Sequence, residues 1–457
     1  MSYTVIEKEA LSSDGIHTLY GKVYVPEGEI KGIFQIAHGM AEHIERYRGF
    51  MAFMAEAGYV AFAHDHVGHG KTGSAVGKLG FIAENGGHRI LVEDVRVFAQ
   101  AVKADFPDKP HILMGHSMGS FIARNYASKY GKELSGLVLM GTGGPNPAAS
   151  IGITLAKAVK KRYGAQHVSP LISNLAFGGY NSRTEKQSGF DWLSVNRANI
   201  DKYLKDDLCG FPFTVSAMQD LITLTYLCNT DAWARSVPKN LPVYLVAGDE
   251  DPVGAYGEGV KRVGFMLSRA GVKYAKVKLY RGYRHEILNE DCASIVCEDI
   301  LAFAEKSVYD AKFSSIKAKC EKIKRIIAKT IIERAKTTRQ ILSIPLGENV
   351  AGISSKYPVS YGYTENGSVK DGVKIDSLVI EFLNLDWEMQ SILTRQKTRM
   401  GIFENVIGGF KKNFDFIKSV IRKERGKLTD EQEIAFFDDE LGWFIQYEDY
   451  FGKFDEE

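Results

Sequence analysis

Short apolar runs alternate with amphipathic segments along the first 140 residues of the chain. The runs are rich in β-branched or aromatic residues and predict buried strands at Ile33–Ala37, Tyr59–Ala63, His111–Met114 and Leu137–Met140. Apolar residues at helical spacing predict the intervening helices Ile44–Ala57, Arg89–Ala104 and Phe121–Lys129. Continuous apolar strands that alternate with amphipathic helices are typical of a parallel sheet covered on both faces.

This alternation stops between Thr142 and Asp231, where the pattern is mainly helical and lacks a clear buried strand. It resumes at Pro242–Ala247 and Tyr274–Tyr280, each followed by a helical segment. We therefore predict an α/β fold in which a mostly parallel, doubly wound sheet carries a helical insertion over 142–231, after about its sixth strand.

The pattern changes again after residue 305. Apolar residues three or four apart predict one long basic helix over 306–342, with an apolar stripe at Ile316, Cys320, Ile323, Ile327 and Ile331. A loop-rich stretch follows, with a hairpin turn at Asn366-Gly367, and Thr429 with Gln432 forms a capping box for an acidic last helix. We divide the chain into 1–305, a basic connecting helix 306–345 and a mainly helical accessory domain of unknown role, 346–457.

Charge is evenly mixed in the first two thirds of the chain and segregated in the last third. Residues 306–340 hold 11 basic and 3 acidic side chains, 395–427 hold 10 and 3, and 428–457 hold 1 and 11. These opposite charges favour packing within the C-terminal region; the alternative is weak peripheral contact of 306–340 or 395–427 with an anionic membrane. No recognition module accompanies the basic residues, so nucleic-acid binding is not expected.

Composition places the chain among ordinary globular proteins, with 45% hydrophobic and 25% charged residues. No apolar run approaches the ~20 residues that span a bilayer, and the N-terminus lacks the order of a signal peptide. Five cysteines without a Cys-x-x-Cys pair argue against a disulfide framework or a structural zinc site. We expect a cytoplasmic protein, and its oligomeric state is left open.

Gly115-His-Ser-Met-Gly119 has the Gly-x-Ser-x-Gly pattern. It directly follows a predicted strand and precedes a predicted helix, which is the setting that holds a serine in a strained, exposed turn. Flanking glycines are needed because the tight turn leaves no room for side chains beside the nucleophile. Ser117 is therefore the candidate nucleophile.

A serine nucleophile needs a base, and the base needs an acid that holds its tautomer. In folds with this turn the order along the chain is Ser, then Asp or Glu, then His. His285 follows the strand Tyr274–Tyr280 and is the candidate base. Asp249 and Asp251 both follow the preceding strand, so these residues alone leave the acid open, Asp249 being an equally good turn cap.

The intermediate of acyl transfer needs two backbone N–H donors. One should come from Met118, which follows the nucleophile, and the candidate for the other is Met40, in the loop after the first predicted strand. Substrate contacts are expected from the neighbouring His38, Gly39 and His116.

Three histidines in six residues, His64, His66 and His69, suggest a metal site at first sight. The position where such clusters carry an Asp is occupied by Gly68, and no further His or carboxylate cluster supports a metal. We expect these histidines to satisfy buried polar groups in a loop beside the site, and we expect no metal and no organic cofactor.

Five motifs in order together resemble one family, and they are listed here as they stand: His38-Gly-Met-Ala-Glu-His-Ile-Glu-Arg-Tyr47, Phe62-Ala-His-Asp-His-Val-Gly-His-Gly70, Gly115-His-Ser-Met-Gly119, Gly248-Asp-Glu-Asp-Pro-Val-Gly254 and Arg284-His-Glu-Ile-Leu-Asn-Glu290. Over about residues 10–305 the chain resembles the monoacylglycerol lipase/lysophospholipase family of α/β-hydrolases, also labelled serine aminopeptidase-like. The resemblance implies that Asp251 is the acid, that Met40 and Met118 donate to the oxyanion, and that the insertion 142–231 is an apolar lid.

The expected function is hydrolysis of small acyl esters, most of all monoacylglycerol or lysophospholipid, through an acyl-enzyme on Ser117. The same residues would suit a thioesterase, an acyltransferase or a general carboxylesterase. A membrane-tethering scaffold with a vestigial hydrolase domain is an alternative from another class, and the filled positions for nucleophile, acid and base speak against it.

Overall fold

The computed structural model describes residues 2–342 and 402–429, together with Glu431, Ile434 and Phe437. The chain divides into two compact units, Met1–Tyr309 and Asp310–Glu457. The hairpin predicted at Asn366-Gly367 and most of the acidic last helix lie outside the described residues.

Unit Met1–Tyr309 is built on one eight-stranded sheet. Its strands are β1 (Tyr3–Leu11), β2 (Thr18–Pro26), β3 (Gly32–Ala37), β4 (Tyr59–His64), β5 (His111–His116), β6 (Gly136–Met140), β7 (Val243–Gly248) and β8 (Ala275–Tyr280). The spatial order is β1-β2-β4-β3-β5-β6-β7-β8. Strand β2 pairs antiparallel with both β1 and β4, and the pairs from β4 to β8 are parallel. The predicted α/β fold with a mostly parallel sheet is confirmed.

The five parallel strands β3 to β7 are buried on both faces, and successive side chains of a strand point to opposite sides of the sheet. In β5, Leu113 belongs to one apolar cluster, whereas Ile112 and Met114 belong to the other. In β7, Leu245 and Val246 divide in the same way. This double coverage explains why these central strands are predominantly apolar in sequence.

The helices around the sheet follow the predicted segments closely. They are α1 (Arg48–Glu56), α2 (Gly70–Ser74), α3 (Gly87–Lys103), α4 (Met118–Tyr130), α5 (Ala149–Tyr163), α6 (Pro170–Phe177), α7 (Arg197–Leu204), α8 (Val215–Leu227), α9 (Asp231–Ser236) and α10 (Glu258–Arg269). Helix α3 shows the amphipathic pattern well, since Leu91, Val95, Phe98 and Val102 recur three or four residues apart and are all buried.

Strands β1 and β2 were missed by the sequence reading. Most residues of β1 are exposed, and Glu7, Lys8 and Glu9 interrupt any apolar run. An edge strand that pairs on one side and faces solvent does not produce the continuous apolar signal that marked the central strands. The sheet therefore begins two strands before Ile33–Ala37, the first strand that the apolar pattern located, and the insertion follows its sixth strand, as predicted.

The insertion between β6 and β7 consists of helices α5 to α9 and two 3₁₀ turns, Tyr180–Arg183 and Asp191–Leu193. The structure describes all of residues 142–231, and they contain no strand. Four of these helices begin with a side chain that accepts a backbone N–H of the first turn. The capping residues are Ser169, Asn196, Thr214 and Thr230. We call this segment the lid.

Helix α11, Ala293–Leu342, contains the long basic helix predicted over 306–342 but begins earlier. Ile316 of its apolar stripe is buried. Helix α12, Ile402–Arg425, buries Ile417 and Ile421, four residues apart on one face. Among the described helices, none is both long and apolar enough to cross a bilayer.

Candidate active site

Ser117 lies in a sharp turn between β5 and α4. Its backbone has φ 53° and ψ −120°, a conformation that is strained for a residue with a side chain. A Cβ at Gly115 would lie 2.2 Å from the carbonyl oxygen of Gly119, and one at Gly119 would lie 2.0 Å from that of Ala37. The glycines are therefore required by close backbone approach, and they hold Ser117 at the carboxyl edge of the sheet.

His285 and Asp251 lie at the same edge, after β8 and β7. Nδ1 of His285 is 2.9 Å from Oδ2 of Asp251, and both side chains are buried. Among the described residues, Nε2 of His285 has no hydrogen-bond partner. The ring therefore has one nitrogen held by a carboxylate and the other available to a proton from a nucleophile.

Asp249, the other carboxylate of this motif, has a different position. Its Oδ1 accepts the backbone N–H of Gly282 at 2.7 Å and so closes the turn between two loops. The sequence left both aspartates open, and the contacts separate them: Asp251 bonds to His285, and Asp249 caps a turn.

The loop after β3 runs beside Ser117. A Cβ at Gly39 would lie 3.2 Å from Cβ of Ser117, so this loop approaches the serine without a side chain between them. Met40 and Met118 both line the cavity at this point. Met118 is the first residue of α4, so its N–H has no acceptor within the helix. The two N–H groups are candidates for the oxyanion donors.

A cavity of about 1140 Å³ contains Ser117 and His285 in its wall. This exceeds the roughly 300–1,000 Å³ of ordinary small-molecule sites. Much of its wall comes from apolar side chains of the lid, including Leu155, Ile172, Phe177, Trp192, Leu221 and Ile222. The lid thus forms a large apolar chamber against the carboxyl edge of the sheet.

A connected set of four side chains lies beside the site, and we call it the polar ring: the buried His116, Glu42 and Glu286 and the half-buried Arg46. Nδ1 of His116 is 3.2 Å from Oε1 of Glu42, Nε of Arg46 donates to Glu42 at 3.2 Å, and Nη2 of Arg46 donates to Glu286 at 2.5 Å. Nε2 of His116 lies 3.4 Å from the backbone oxygen of His285, which closes the ring.

Charges within the polar ring shift the protonation of its members. Burial alone would raise the pKa of Glu42, but the hydrogen bond and charge of His116 and the charge of Arg46 lower that pKa to about 2. Burial would likewise lower the pKa of His116, yet its hydrogen bond with Glu42 and that carboxylate's charge raise this pKa above its ordinary value. Glu42 is therefore a carboxylate at neutral pH, and His116 retains a proton more strongly than free imidazole.

Sequence reasoning missed Glu42, Arg46 and Glu286, although all three stand inside the quoted motifs. The available signals were the four-residue spacing of Glu42 and Arg46 and the position of Glu286 directly after His285. His116, expected to contact substrate, lines the cavity but has both ring nitrogens engaged by protein atoms.

His38 is also placed differently from the expected substrate contact. Its ring is fully buried, with Nδ1 2.8 Å from the oxygen of Gly39 and Nε2 accepting the N–H of His66 at 3.0 Å. This ring joins two loops. Gly39, predicted with it, does line the cavity.

His64, His66 and His69 fit their expected role only in part, since His64 is the last residue of β4 and only His66 and His69 lie in the loop after it. His66 and His69 each contact a backbone oxygen, at 3.3 Å and 3.1 Å, whereas neither ring nitrogen of His64 has a partner among the described residues. The described residues contain one group with three ligand atoms within 4.8 Å of one another, formed by His43, Asp206 and Cys209. That group includes none of the loop histidines.

Comparison with known proteins identifies the family of the chain. The family described as serine aminopeptidase, S33, matches residues 28–292 of the chain. The chain belongs to this family. It is a serine ester hydrolase with the α/β-hydrolase fold.

The matches cover most or all of each relative's own length. A monoacylglycerol lipase from Mycolicibacterium smegmatis is 26% identical over 308 residues, which are 66% of this chain and 98% of the relative. The human monoglyceride lipase is 25% identical over 61% of this chain and 83% of its own. A solved carboxyl esterase from Bacillus coagulans in complex with glycerol is 34% identical, covers 67% of this chain and all of its own, and superposes with a TM-score of 0.64.

Proposed function

We propose that this serine hydrolase cleaves monoacylglycerols with Ser117 as nucleophile, His285 as base and Asp251 as the acid that orients the base. The observation that carries this proposal is the hydrogen bond of 2.9 Å from His285 to Asp251, in a cavity that also holds Ser117 on its strained turn. The names of the curated relatives support the substrate class.

In the first half of the reaction, Oγ of Ser117 attacks the ester carbonyl carbon while Nε2 of His285 takes its proton. Asp251 stabilises the imidazolium through Nδ1. The N–H groups of Met40 and Met118 bind the oxyanion of the tetrahedral intermediate. The imidazolium then gives its proton to the departing alcohol oxygen, and the acyl group remains on Ser117. In the second half, His285 takes a proton from water as the water oxygen attacks the acyl carbon. The bond from that carbon to Oγ of Ser117 then breaks, the imidazolium returns the proton to Oγ, and the fatty acid is released.

The lid chamber supports a lipid acyl chain as the substrate group. Apolar side chains such as Leu155, Ile172 and Phe177 line a volume well above that of a small polar metabolite site. Burial of each methylene against such a wall contributes about 0.8 kcal/mol. Longer acyl chains should therefore lower KM until the chamber is filled.

The test combines one variant with a substrate panel. Ser117→Ala should abolish labelling by a fluorophosphonate and lower hydrolysis of p-nitrophenyl esters at least about 10³-fold. Ser120→Ala is the matched control, since its hydroxyl donates to the backbone oxygen of Ser117 one turn along α4. Full labelling of the Ser117 variant would disprove the assignment of the nucleophile.

Monoacylglycerols, lysophospholipids, acyl-CoAs and aminoacyl amides offered to the purified protein separate the substrate classes. We expect the highest kcat/KM with monoacylglycerols. A preference for acyl-CoA would indicate a thioesterase, and a preference for short soluble esters a general carboxylesterase, with the same three residues in both cases.

A further inference from the structure

Glu286 directly follows His285 and is buried, with 3% of its surface exposed. One oxygen of its carboxylate accepts hydrogen bonds from Arg46 at 2.5 Å and from Asn199 at 2.6 Å. Its own backbone N–H donates to the oxygen of Leu193 at 2.8 Å. Both the side chain and the backbone of the residue after the candidate base are therefore fixed by other segments of the chain.

Two of those contacts come from the lid. Leu193 ends the 3₁₀ turn Asp191–Leu193, and Asn199 lies in the first turn of α7. Movement of this part of the lid would remove one hydrogen bond from the Glu286 backbone and one from its carboxylate. The position of the lid is thereby connected to the residue next to His285.

The remaining contacts lead to the loop that carries the candidate oxyanion donor. From Glu286 the polar ring passes through Arg46 to Glu42, whose Oε1 accepts the N–H of Gly39 at 2.5 Å. Gly39 precedes Met40 in the loop beside Ser117. The polar ring thus joins three segments that must be in register for acyl transfer: the loop of His285, the loop of Met40 and the lid.

Burial of this many charges is weak evidence for stability alone, because removal from water offsets much of their attraction. The buried charges of the polar ring are better explained by the three segments whose relative positions they fix. We propose that Glu286 is a positioning residue that couples the lid to His285 and to the Met40 loop, so that the nucleophile, base and oxyanion donors are aligned only with the lid in place. This inference rests on the proposed function.

The experiment is a double-mutant cycle of Glu286→Gln and Asn199→Ala, followed by steady-state hydrolysis of p-nitrophenyl butyrate. We expect Glu286→Gln to lower kcat about 10- to 100-fold with KM changed less than about threefold, because misalignment affects the reacting atoms more than binding. If the lid acts through Glu286, the double variant should have a kcat within about threefold of Glu286→Gln alone.

Glu290→Gln is the matched control. Glu290 is similarly buried and also joins the lid to the loop of His285, because it accepts N–H groups of Val195, Asn196 and Arg284, but it has no bond to Arg46. Its substitution should leave kcat within about threefold of wild type. An equal loss of kcat in Glu290→Gln, fully additive effects in the cycle, or a Glu286→Gln protein with reduced stability and normal kcat would each overturn the proposal.

Should Glu286→Gln fail to fold, the comparison of Asn199→Ala with Glu290→Gln decides the question, since Asn199 bonds to Glu286 of the polar ring and Glu290 bonds to none of its side chains. Loss of kcat in Asn199→Ala alone supports the coupling, and equal behaviour of the two variants overturns it. Wild-type protein measured in parallel separates this proposal from the proposed function. Absence of ester hydrolysis in the wild-type protein would contradict both the proposed function and the coupling. Normal hydrolysis in every variant would contradict the coupling alone.

Discussion

Oδ2 of Asp251 lies 2.9 Å from Nδ1 of His285, while Asp249, two residues earlier, bonds to the backbone of Gly282. The two carboxylates lie in one loop after β7 but bind different partners, an imidazole and a backbone N–H. Asp251 is fully buried, so its charge acts on the imidazole with little competition from water.

This difference predicts unequal effects of two isosteric substitutions. Asp251→Asn should lower kcat about 10³- to 10⁴-fold, because an amide no longer stabilises the imidazolium of His285. Asp249→Asn should cost less than about tenfold, since its amide oxygen can still accept the N–H of Gly282 and that bond is worth about 1 kcal/mol. Steady-state kinetics on a soluble ester measures both. A larger effect from Asp249 would show that the acid has been misassigned.

Arg124 contacts both ends of the lid. The side chain is fully buried in α4 and donates to the oxygen of Gly143 at 2.9 Å, where the lid begins, and to Oδ1 of Asn229 at 2.8 Å, where it ends. Its guanidinium also lies 4.3 Å from the ring of Trp233. One cation therefore fixes the two points at which the lid joins the sheet.

Arg124→Met should lower the free energy of unfolding by about 3–5 kcal/mol, because several buried oxygens lose their donor at once. Cleavage within residues 142–231 by a dilute protease should also become faster. Arg96→Met is the control, since Arg96 similarly faces an aromatic ring, Tyr130 at 4.4 Å, but pairs with Glu133 at the surface. That substitution should cost no more than about 1 kcal/mol in urea unfolding. Equal losses would show that the lid attachment has no special role.

The candidate nucleophile, acid and base could be predicted from the sequence because each follows an apolar parallel strand. The carboxyl ends of such strands meet at one edge, so Ser117, Asp251 and His285 were expected near one another from their places after β5, β7 and β8. The glycines around Ser117 gave a second, steric signal. These inferences use local pattern only.

The polar ring could not be predicted in this way. Arg46 meets Glu286 across 240 positions of the chain, and Asn199 meets it across 87. No spacing rule links such residues, because their contacts depend on how distant segments of the chain, including the lid, come together at the edge of the sheet. Strand β1 was missed for a different reason. Its contacts are local, but an exposed edge strand has too few apolar residues to be recognised from the pattern.

Buried histidines predict that the protein loses stability in acid. Burial lowers the pKa of His64 to about 3 and that of His69 to about 4, and it holds the pKa of His66 well below the ordinary value. The unfolded chain takes up these protons near pH 6.5, so stability is complete above that pH and declines as the pH falls. Asp94 has the opposite effect on stability. Burial raises its pKa to about 6, so the folded protein takes up this proton before the unfolded chain does, and stability rises as the pH falls through this range.

His64→Leu isolates one of these protons. Neither nitrogen of the His64 ring has a partner among the described residues, and the ring stacks on Phe98 at 5.0 Å, so an apolar residue of similar size loses no hydrogen bond. The slope of unfolding free energy against pH between 6.5 and 4 should decrease by up to about 1.4 kcal/mol per pH unit. His167→Leu, at a half-buried position in the lid, is the control. An unchanged slope in the His64 variant would contradict the assignment.

Truncation tests whether the first unit is sufficient for hydrolysis. Ser307 and Val308 of α11 close onto the sheet, because a Cβ at Gly136 or Gly32 would lie 3.0 Å or 3.1 Å from their side chains. Residues 1–309 keep these contacts and every residue of the candidate site. We therefore expect this fragment to retain kcat on p-nitrophenyl butyrate within about threefold of the full chain, since the groups that align the reacting atoms are unchanged. A folded but inactive fragment would show that the C-terminal region completes the site.

The same pair of proteins tests the basic segments as a membrane contact. Helix α12 carries Lys412, Arg422 and Lys423 within a region of excess positive charge, and each basic residue held at an anionic surface contributes about 1 kcal/mol. The acidic residues of 428–457 oppose that attraction, so the full chain should sediment only weakly with phosphatidylserine vesicles at about 0.15 M salt, where the Debye length is about 8 Å. The fragment 1–309 is the control for binding through the hydrolase unit. Tight binding of the full chain that weakens with salt and is absent from the fragment would instead identify the C-terminal region as a membrane anchor.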